Sequence, residues 1–540
     1  MSVPDFVAAI PAPHPATPLT TDRVELLARL AQPETWDVLI IGGGATGLGT
    51  ALDAAVRGFK VALIESHDFA KGTSSRATKL VHGGVRYLAQ GQIALVREAL
   101  HERATLLNNA PHLAQPLPLV MPAYHLLDLP VHGAGLKLYD ALAGTRRLGR
   151  PEFLSKDKTL RLLPTVRTDR LKGGVKYWDG QFDDARLGLA LARTAAIKGA
   201  LLINYCSAKE LLHDGGKVAG AICEDAETGL RITVRARCVI NATGPWVDTL
   251  RQHDAQLLDQ PSTPMVSPSQ GVHLVVERDF LPTDHALLVP KTSDDRVLFA
   301  IPWLGKVILG TTDTPRTDLL YEPLPLDQEI DFILKEAGNY LCRRPTRADV
   351  RSAWVGLRPL VKPSANDHSR TPKISRGHTV VTSTSGLVTV TGGKWTTYRA
   401  MAEDVLKECF SHRLLPTRPA GGTVKLPLVG APQASEVKQR MNIAQGLHIY
   451  GTEATAVQTL PGAQQWLNSS LSEAMVRFAV RYEYARTVED ILARRSRLLF
   501  LDARQAAALA PRVAHILAQE LPGHDCKLTD FLALTRQYAL

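Results

Sequence analysis

The stretch from Val38 to Gly47 constrains the fold of this chain more than any other segment. An apolar run over residues 38–41 is followed at once by Gly42-Gly43-Gly44-Ala45-Thr46-Gly47, and a helical spacing of apolar residues then continues to Gly58. This GxGxxG motif in strand–turn–helix order predicts a Rossmann-type unit that binds a dinucleotide. Chance clustering of glycines is the alternative, and the flanking strand and helix patterns count against it.

Each glycine at a motif position has a physical reason to be there. Gly42 permits the tight turn, Gly44 lets the backbone approach a pyrophosphate, and Gly47 lets the helix pack closely on the strand. The helix N-terminus offers free N–H groups to the phosphates. The next predicted strand, residues 60–64, precedes Glu65, whose carboxylate we expect to accept the ribose hydroxyls. FAD and NAD both carry adenosine and pyrophosphate, so the motif alone leaves both cofactors open.

The following part of the chain favours FAD. No second GxGxxG is present, because Gly215-Gly216 lies in a predicted hairpin turn and Gly133-Ala134-Gly135 lacks the third glycine. The hairpin opens a meander of alternating residues that runs into a strand ending in Ala242-Thr243-Gly244. Such a strand after a meander resembles the last strand of the nucleotide domain in flavoproteins of the glutathione-reductase and amino-acid-oxidase type. One dinucleotide site together with this strand predicts FAD.

Composition excludes several classes of protein. Of 540 residues, 45% are apolar and 21% charged, which allows a large core, and we expect two to four domains. Six cysteines without a CxxC pair indicate neither a metal knuckle nor a disulfide framework, so no metal site is predicted. The formal net charge of +10 suggests nucleic acid, an anionic membrane surface or a phosphorylated substrate as a partner. Apolar stretches such as residues 298–309 are shorter than the ~20 residues of a membrane-spanning helix, so we expect any membrane contact to be peripheral.

Seven short motifs follow one another between residues 72 and 399. They are GTSSRATKLVHGGVRYL at 72–88, YWDGQFDDARL at 177–187, NATGPW at 241–246, IPW at 301–303, GTTD at 310–313, WVGLRPL at 354–360 and GGKWTTYR at 392–399. Together they resemble one family, the FAD-dependent glycerol-3-phosphate dehydrogenases of respiratory membranes. The resemblance covers residues ~36 to ~400, and the C-terminal region also looks similar. The chain departs from the family in its longer N-terminal arm and in Gln270, where a basic or small residue is often seen.

The resemblance implies an α/β fold with a Rossmann-type FAD-binding domain, an antiparallel-sheet substrate domain interwoven with it, and an α-helical C-terminal cap domain. We expect an N-terminal extension at residues 1–35, the interleaved FAD-binding and substrate-binding domains at 36–420, and the helical domain at 421–540. The Pro-rich residues 1–20 indicate a disordered arm instead of a signal peptide. From about Leu471 onward, apolar spacings of three and four predict helices.

The resemblance also implies a reaction, the oxidation of sn-glycerol 3-phosphate to dihydroxyacetone phosphate by hydride transfer from C2 to flavin N5. A phosphate monoester carries close to two negative charges, so its pocket should contain more than one cation. The resemblance places Arg86, Arg358 and Lys394 at the substrate, with Tyr87 beside Arg86. The alternatives are a surface charge for Arg86, an internal ion pair for Arg358 and a solvated helix end for Lys394.

Further residues are expected at the reaction centre and along the cofactor. His273 is the candidate acceptor of the hydroxyl proton, because imidazole titrates near neutral pH, and a structural bond to a backbone carbonyl is the alternative. With Arg358 and Lys394 it forms the expected catalytic set. A helix predicted over residues 394–410 would point its positive end at the flavin pyrimidine edge. Residues expected at non-covalent FAD, besides the glycine motif and Glu65, are Thr73, Ser74, Ser75, His82, Gly83, Ala242, Thr243, Gly244, Gly392, Gly393 and Lys394.

The resemblance implies membrane quinone as the electron acceptor and a bacterial enzyme held peripherally on the cytoplasmic face of the inner membrane, with a homodimer as one option. Residues 136–150 combine apolar and basic side chains, as an interfacial helix on anionic lipid would, and a buried helix with a basic C-terminus explains the same pattern. Rival enzymes are an oxidase that uses oxygen directly and a relative acting on an amino acid. A flavoprotein that binds or modifies tRNA is the alternative of another class, but no RNA-binding module is found, so no nucleic-acid partner is expected.

Overall fold

The computed structural model describes residues 17–540 apart from 85–87, 89–90, 126–127, 290–291, 295 and 363–376. The predicted substrate residues Arg86 and Tyr87 lie outside the described residues, as does the first part of the predicted N-terminal arm. The described strands are β1 (Trp36–Ile41), β2 (Val61–Ile64), β3 (Leu80–Val81), β4 (Ala114–Ala123), β5 (Glu152–Ser155), β6 (Gly173–Phe182), β7 (Leu201–Ile203), β8 (Cys206–Asp214), β9 (Lys217–Asp225), β10 (Arg231–Asn241), β11 (Val266–Glu277), β12 (Ala286–Val289), β13 (Leu298–Trp303), β14 (Lys306–Gly310), β15 (Thr314–Pro315), β16 (Ser352–Val361), β17 (His378–Thr382) and β18 (Val388–Gly392).

Helices connect these strands and make up most of the C-terminal part. The described α-helices are α1 (Arg23–Leu30), α2 (Ala45–Val56), α3 (Ile93–Asn109), α4 (Asp128–Ala143), α5 (Lys156–Leu162), α6 (Asp184–Ile197), α7 (Val247–Leu257), α8 (Asp327–Tyr340), α9 (Tyr398–Ser411), α10 (Ala454–Gln458), α11 (Glu473–Tyr482), α12 (Leu498–Leu501), α13 (Ala503–Glu520) and α14 (Leu528–Tyr538). Short 3₁₀ turns include Thr73–Ser75 and Trp395–Thr397, and Asp490–Arg495 is a π-helix. In the described part of the chain, no helix combines the length and apolar character needed to cross a bilayer.

The first sheet has the order β17-β18-β10-β1-β2-β7, and its strands from β18 to β7 are parallel. β1 lies inside it, and its side chains alternate between two apolar clusters. Val38 and Ile40 face the cluster that contains α2, whereas Leu39 and Ile41 face the cluster of the β8–β10 meander. Because both faces are covered, the strand is apolar without interruption, as buried parallel strands are.

β10 joins this parallel sheet to an antiparallel meander. Residues 236–241 pair with β1, while Arg231–Arg235 pair with β9, which forms a hairpin with β8. Gly215 and Gly216 connect the hairpin with φ of 55° and 76°, backbone angles that favour glycine. The predicted hairpin and the predicted strand leading to Ala242-Thr243-Gly244 are therefore confirmed.

The second sheet has the order β15-β11-β14-β13-β12-β4-β6-β3, with β16 beside β11 and β5 beside β6. Its described pairs are antiparallel except β4 with β12. Strands β3–β6 come between β2 and β7 in sequence, and β11–β16 come between β10 and β18. The interwoven antiparallel sheet expected from the sequence is thus confirmed, and its β11–β16 pair places His273 opposite Trp354.

The C-terminal part is helical from Glu473 onward, as expected from about Leu471. Its apolar side chains share one core with the second sheet, since Phe500 contacts Trp354 at 5.4 Å between ring centroids. Leu426 and Leu428, which follow the domain boundary predicted at residues 420–421, are buried in the cluster that contains α2. This boundary remains a prediction.

Candidate active site

A cavity of about 490 Å³ lies where the carboxyl ends of β1, β2, β10 and β18 face β11 and β16 of the second sheet. Open α/β sheets bind ligands at this end of their strands, and the volume is ordinary for a ligand site. The predicted residues that line it are Gly42, Gly44, Glu65, Thr73, Ser74, His82, Ala242, Thr243, Gly244, His273, Arg358, Gly392, Gly393 and Lys394. Gly47, Ser75 and Gly83, also predicted, do not line it.

The glycine motif leaves no room for a side chain at Gly42 and Gly47 and little room at Gly44. Gly42 has φ of 114°, and a Cβ atom there would lie 2.5 Å from the carbonyl oxygen of Ala242. A Cβ atom at Gly47 would lie 1.9 Å from the carbonyl oxygen of Gly42, so this residue permits the close approach of α2 to the turn. At Gly44 it would lie 3.1 Å from Ser74 Oγ. The turn is therefore a backbone cradle at the start of α2.

The loop after β2 closes over this cradle. Ser74 Oγ accepts a hydrogen bond from Ala45 N at 2.9 Å, and Trp395 Nε1 donates to the carbonyl oxygen of Ser74 at 2.8 Å. Thr73 Oγ1 donates to the carbonyl oxygen of Leu357. Ser75 is buried, and its hydroxyl points to the carbonyl oxygen of Lys71. Thr73 and Ser74 line the cavity, whereas the Ser75 hydroxyl bonds within the loop.

Glu65 follows β2 directly and orients the cradle. Its Oε2 accepts from Gly43 N at 2.7 Å, and its Oε1 accepts from His67 N at 2.9 Å. Its Oε1 also accepts from Ser66 Oγ at 3.1 Å. A carboxylate has about four acceptor positions, so these three bonds leave capacity for one ribose hydroxyl. The Glu65 carboxylate lies at the carboxyl end of β2 and lines the cavity, at the position that the sequence motif predicts.

The other end of the cavity is formed where β18 leads into α9. Gly392 and Gly393 have φ of 82° and 75°, and a 3₁₀ turn over Trp395–Thr397 precedes the helix that the sequence predicted from Lys394. Thr396 Oγ1 accepts from His82 N at 3.1 Å. Gly83 does not line the cavity, and its N–H donates to Tyr139 Oη at 2.8 Å.

Arg358 lines the cavity where the substrate is predicted to bind. It also forms an internal ion pair, the alternative that the sequence left open. Its Nη1 lies 3.2 Å from Asp313 Oδ1, and its Nη2 donates to Thr311 Oγ1 and to the Thr312 carbonyl oxygen, both at 3.0 Å. The guanidinium lies against Gly271, where a Cβ atom would be 2.2 Å from Nη2. The side chain is still 20% exposed and lines the cavity. Its orientation is therefore set by the protein.

His273 is buried in the cavity wall. Its Nε2 lies 3.0 Å from Thr78 Oγ1, and its ring stacks on Trp354 with centroids 4.1 Å apart. Burial, with further contributions from the cations Arg358 and Lys79, lowers the pKa of His273 well below its ordinary value. The imidazole is therefore neutral in the folded protein.

Sequence reasoning missed several residues of the cavity wall. Thr78 and Arg76 line it, and both fall inside the 72–88 motif, so the motif itself could have indicated them. Lys71 also lines it and pairs with Glu489 at 2.8 Å. Tyr321 lines it too and stacks on Trp246, and no motif pointed to it.

The site fits FAD on its own geometry. Side chains are excluded from the turn at Gly42, and Gly44 supplies no capping side chain to α2. Ser74 and Glu65 accept from the N–H groups of Ala45 and Gly43, so a pyrophosphate would bind at the other N–H groups of the α2 N-terminus. Glu65 supplies an acceptor for ribose, and the cavity continues to Gly392 and Lys394 at the far end.

Comparison with known proteins agrees with this geometry. The family described as FAD dependent oxidoreductase matches residues 37–399, and the C-terminal domain of alpha-glycerophosphate oxidase matches residues 422–525. Mitochondrial glycerol-3-phosphate dehydrogenase from Bos taurus is 43% identical over 96% of this chain and 75% of its own length. The enzyme of the same name from Saccharomyces cerevisiae is 38% identical over 96% of this chain and 90% of its own length.

Solved structures agree as well. The glycerol-3-phosphate dehydrogenase from Bacillus halodurans complexed with FAD is similar with a TM-score of 0.75 and 30% identity, over 96% of this chain and 98% of that one. The L-alpha-glycerophosphate oxidase from Mycoplasma pneumoniae shares the fold with a TM-score of 0.56 and 19% identity, over 73% of this chain and 99% of that one. The predicted fold class and cofactor are confirmed: this chain is a flavoenzyme that uses FAD and belongs to the family of FAD-dependent glycerol-3-phosphate dehydrogenases.

Proposed function

We propose that this chain oxidises sn-glycerol 3-phosphate at C2 to dihydroxyacetone phosphate. The observation that carries the proposal is a single cavity in which the glycine cradle at Gly42 is continuous with two basic side chains, Arg358 and Lys394, and with the neutral imidazole of His273. The relatives from cattle and yeast carry the name of this activity. Bound FAD supplies the acceptor for the hydride that leaves C2.

Arg358 and Lys394 would bind the phosphate. The guanidinium of Arg358 is oriented before any substrate arrives, because Asp313, Thr311 and the Thr312 carbonyl oxygen already hold it. A fixed planar fork binds a phosphate with less loss of side-chain freedom than a mobile one. The predicted contribution of Arg86 and Tyr87 falls outside the described residues and remains part of this proposal.

His273 would accept the proton of the C2 hydroxyl. A neutral imidazole has a lone pair for this step, but its low pKa makes it a weak base. Part of that low pKa comes from the positive charge of Arg358. A phosphate dianion bound at Arg358 would offset this charge and strengthen the base, so that binding of the substrate prepares the proton acceptor.

We further propose that membrane quinone accepts the electrons and that the enzyme lies on the cytoplasmic face of a bacterial inner membrane. Leu136 and Tyr139 fix α4 in the fold, whereas Leu138 between them is 49% exposed. Arg146 and Arg147 follow on the surface. An outward apolar residue on a helix that leads to exposed arginines supports contact with anionic lipid. Non-covalent attachment of FAD, the domain boundaries and a homodimer remain predictions.

Anaerobic titration of the yellow protein with sn-glycerol 3-phosphate tests the reaction. We expect loss of flavin absorbance in the wild type. Arg358→Met and Lys394→Met should need about 10- to 100-fold more substrate for half-reduction, because each removes a charged contact worth ~1.5–3 kcal/mol. Arg440→Met, at a side chain that is 67% exposed, is the control and should match the wild type. Equal half-reduction concentrations in all four proteins would refute the phosphate site.

The acceptor is tested separately. With substrate present, we expect rapid reduction of a soluble quinone analogue and little peroxide in air. Peroxide released at the rate of substrate consumption would identify an oxidase instead, and turnover of an amino acid without turnover of glycerol 3-phosphate would identify the other rival. Sedimentation with anionic vesicles should exceed sedimentation with zwitterionic vesicles, and Leu138→Glu should reduce it; equal sedimentation would contradict the membrane proposal.

A further inference from the structure

Lys79 has a buried amino group for which the proposed reaction has no use. Its side chain is fully buried and does not line the cavity. Its Nζ donates to Asp184 Oδ2 at 2.6 Å and to the carbonyl oxygen of Ser75 at 2.9 Å. The same Nζ lies over the Trp354 ring, 4.6 Å from its centroid. A charge in such a place is costly unless it is paired in this way.

The backbone at Lys79 is strained. Its φ is 64°, in the left-handed region that a residue other than glycine rarely adopts. The preceding residue, Thr78, lines the cavity, whereas the Lys79 side chain enters the core. The bonds of Lys79 to Asp184 and Ser75 hold this conformation, because both partners are themselves fixed.

Asp184, the first residue of α6, anchors the whole segment. Its Oδ2 accepts from Ala77 N at 2.9 Å as well as from Lys79 Nζ. Its Oδ1 lies 3.1 Å from Arg497 Nη2, which also donates to the Ser75 carbonyl oxygen at 2.7 Å. The stretch 75–79 is therefore tied to one carboxylate and one guanidinium behind the cavity wall.

The held segment fixes the imidazole of His273 from two sides. Thr78 Oγ1 lies 3.0 Å from His273 Nε2, and the His273 ring stacks on Trp354, over which Lys79 lies. Both of these contacts lead back to Lys79, whereas a hydrogen bond of the imidazole with the Gly271 backbone does not. An error of about 1 Å in the place of a reacting group can reduce a rate by ~100-fold.

We propose that Lys79 is a positioning residue: its bonds to Asp184 and Ser75 hold Thr78 so that the Thr78 hydroxyl fixes the imidazole of His273 toward the substrate. The inference deepens the proposed function and rests on it for the role of His273. Lys79 itself contacts neither substrate nor cofactor.

The kinetic test is a double-mutant cycle of Lys79→Met and Thr78→Val on FAD-loaded protein. We expect each single variant to slow flavin reduction at saturating sn-glycerol 3-phosphate by about 10- to 100-fold, with the half-saturating concentration changed by less than about threefold. The double variant should be no slower than the slower single variant, because Lys79 acts through Thr78. Thr78→Ser should restore most of the rate. Multiplied losses in the double variant, or a wild-type rate in Thr78→Val, would overturn the proposal.

A spectroscopic readout is independent of turnover. With ¹⁵N-labelled histidine, and His273→Asn to assign the signal, we expect the Nε2 resonance of His273 to shift in both Lys79→Met and Thr78→Val. Arg193→Met is the matched control: Arg193 lies on the same helix as Asp184, is 6% exposed and forms a bidentate pair with Glu453, so its loss should affect stability and leave the resonance in place.

The outcomes separate the two proposals. A shifted resonance in a protein that does not oxidise sn-glycerol 3-phosphate would retain the positioning role and refute the proposed function. An unshifted resonance in an active enzyme would refute only the positioning role. If Lys79→Met fails to fold, the isosteric Thr78→Val decides alone: an unshifted signal with an unchanged rate overturns the inference.

Discussion

At the scale of single residues, the site shows how burial decides the charge of a side chain. His273 has an ordinary pKa of 6.5 in water, yet burial lowers it and two neighbouring cations lower it further. Lys79 has its pKa lowered to about 7, first by burial, with Asp184 opposing the shift and Arg497 adding to it. The protein thus keeps its proposed base neutral and places behind it an amine that is about half protonated at pH 7.

Gly47 offers a direct test of the cofactor cradle. Gly47→Ala would place a methyl group 1.9 Å from the carbonyl oxygen of Gly42, so α2 must move away from the turn. We expect a loss of at least about 1–3 kcal/mol of stability and purification with much less flavin. Gly135→Ala in α4 is the control, since none of the described residues has an atom within 4 Å of its Cβ position. A flavin content equal to that of the wild type would contradict this role of Gly47.

His112 predicts a loss of stability in acid. Burial, together with Arg186, lowers its pKa from 6.5 to about 3. Below pH 6.5 the imidazole is therefore protonated in the unfolded chain but stays neutral in the folded chain. The free energy of unfolding consequently falls as the pH is lowered, down to about pH 3. Between pH 7 and pH 5 this histidine alone should cost about 2 kcal/mol.

Urea unfolding at the two pH values measures this effect. His112→Gln should lose about 2 kcal/mol less than the wild type between pH 7 and pH 5, because glutamine does not titrate. His412→Gln is the control, at a side chain that is 48% exposed. Identical pH dependence in wild type and His112→Gln would show that His112 takes up its proton in the folded state.

At the scale of elements, the loop over the cavity depends on the C-terminal helices. Lys71 pairs with Glu489 at 2.8 Å, and Arg497 donates to the Ser75 carbonyl oxygen at 2.7 Å. Arg76 Nη2 lies 3.3 Å from Tyr538 Oη. Partners more than 400 residues away in sequence therefore hold the loop that carries Thr73, Ser74 and Thr78.

Helix α4 is linked to the cavity wall through one hydroxyl. Tyr139 Oη accepts from Gly83 N and donates to Asp179 Oδ2, both at 2.8 Å. Tyr139→Phe would leave a buried N–H without its partner, which costs about 1–3 kcal/mol. We expect lower thermal stability and weaker flavin retention, because His82 adjoins Gly83.

Tyr124→Phe is the matched control for this prediction. Its hydroxyl donates to the Arg167 carbonyl oxygen at 3.1 Å and does not line the cavity. It should cost about 0.5–1.5 kcal/mol and leave flavin content unchanged. Equal flavin content in the two variants, measured by absorbance per protein, would contradict the link through Tyr139.

At the scale of the whole molecule, a buried ionic contact joins the nucleotide half to the C-terminal helices. Asp68 is fully buried and binds Arg494 and Arg495, and Asn204 Nδ2 donates to it at 3.2 Å. Removal of one member of such a cluster leaves buried charge without compensation. Asp68→Asn should therefore lower the free energy of unfolding by about 3–5 kcal/mol.

Limited proteolysis and thermal unfolding measure this contact. We expect Asp68→Asn to expose C-terminal cleavage sites earlier than the wild type. Asp169→Asn is the control, because Asp169 is 77% exposed in its pair with Arg167 and should cost less than about 1 kcal/mol. Similar unfolding temperatures for the two variants would show that the buried cluster adds nothing to stability.

The sequence by itself determined the nucleotide cradle and the order of the fold. Gly42, Gly44 and Gly47 work through their immediate neighbours, so their spacing predicts the turn that the structure contains. Glu65 and the strand before Ala242 were predictable for a similar reason. Parallel strands end at the same edge of a sheet, so the residues that directly follow two such strands lie at that edge. Residues that are close together in the sequence determine the local backbone geometry, so short motifs predict it.

Only the tertiary structure decided which charges meet. The fork of Arg358 held by Asp313, the neutral state of His273 and the pairing of Asp68 with Arg494 depend on partners that folding brings together from distant positions. Lys79 lies in the 72–88 motif, but the motif did not show its role, because burial and a partner 105 residues away define that role. Electrostatic energies depend on distance and on exclusion of water, and the folded chain sets both.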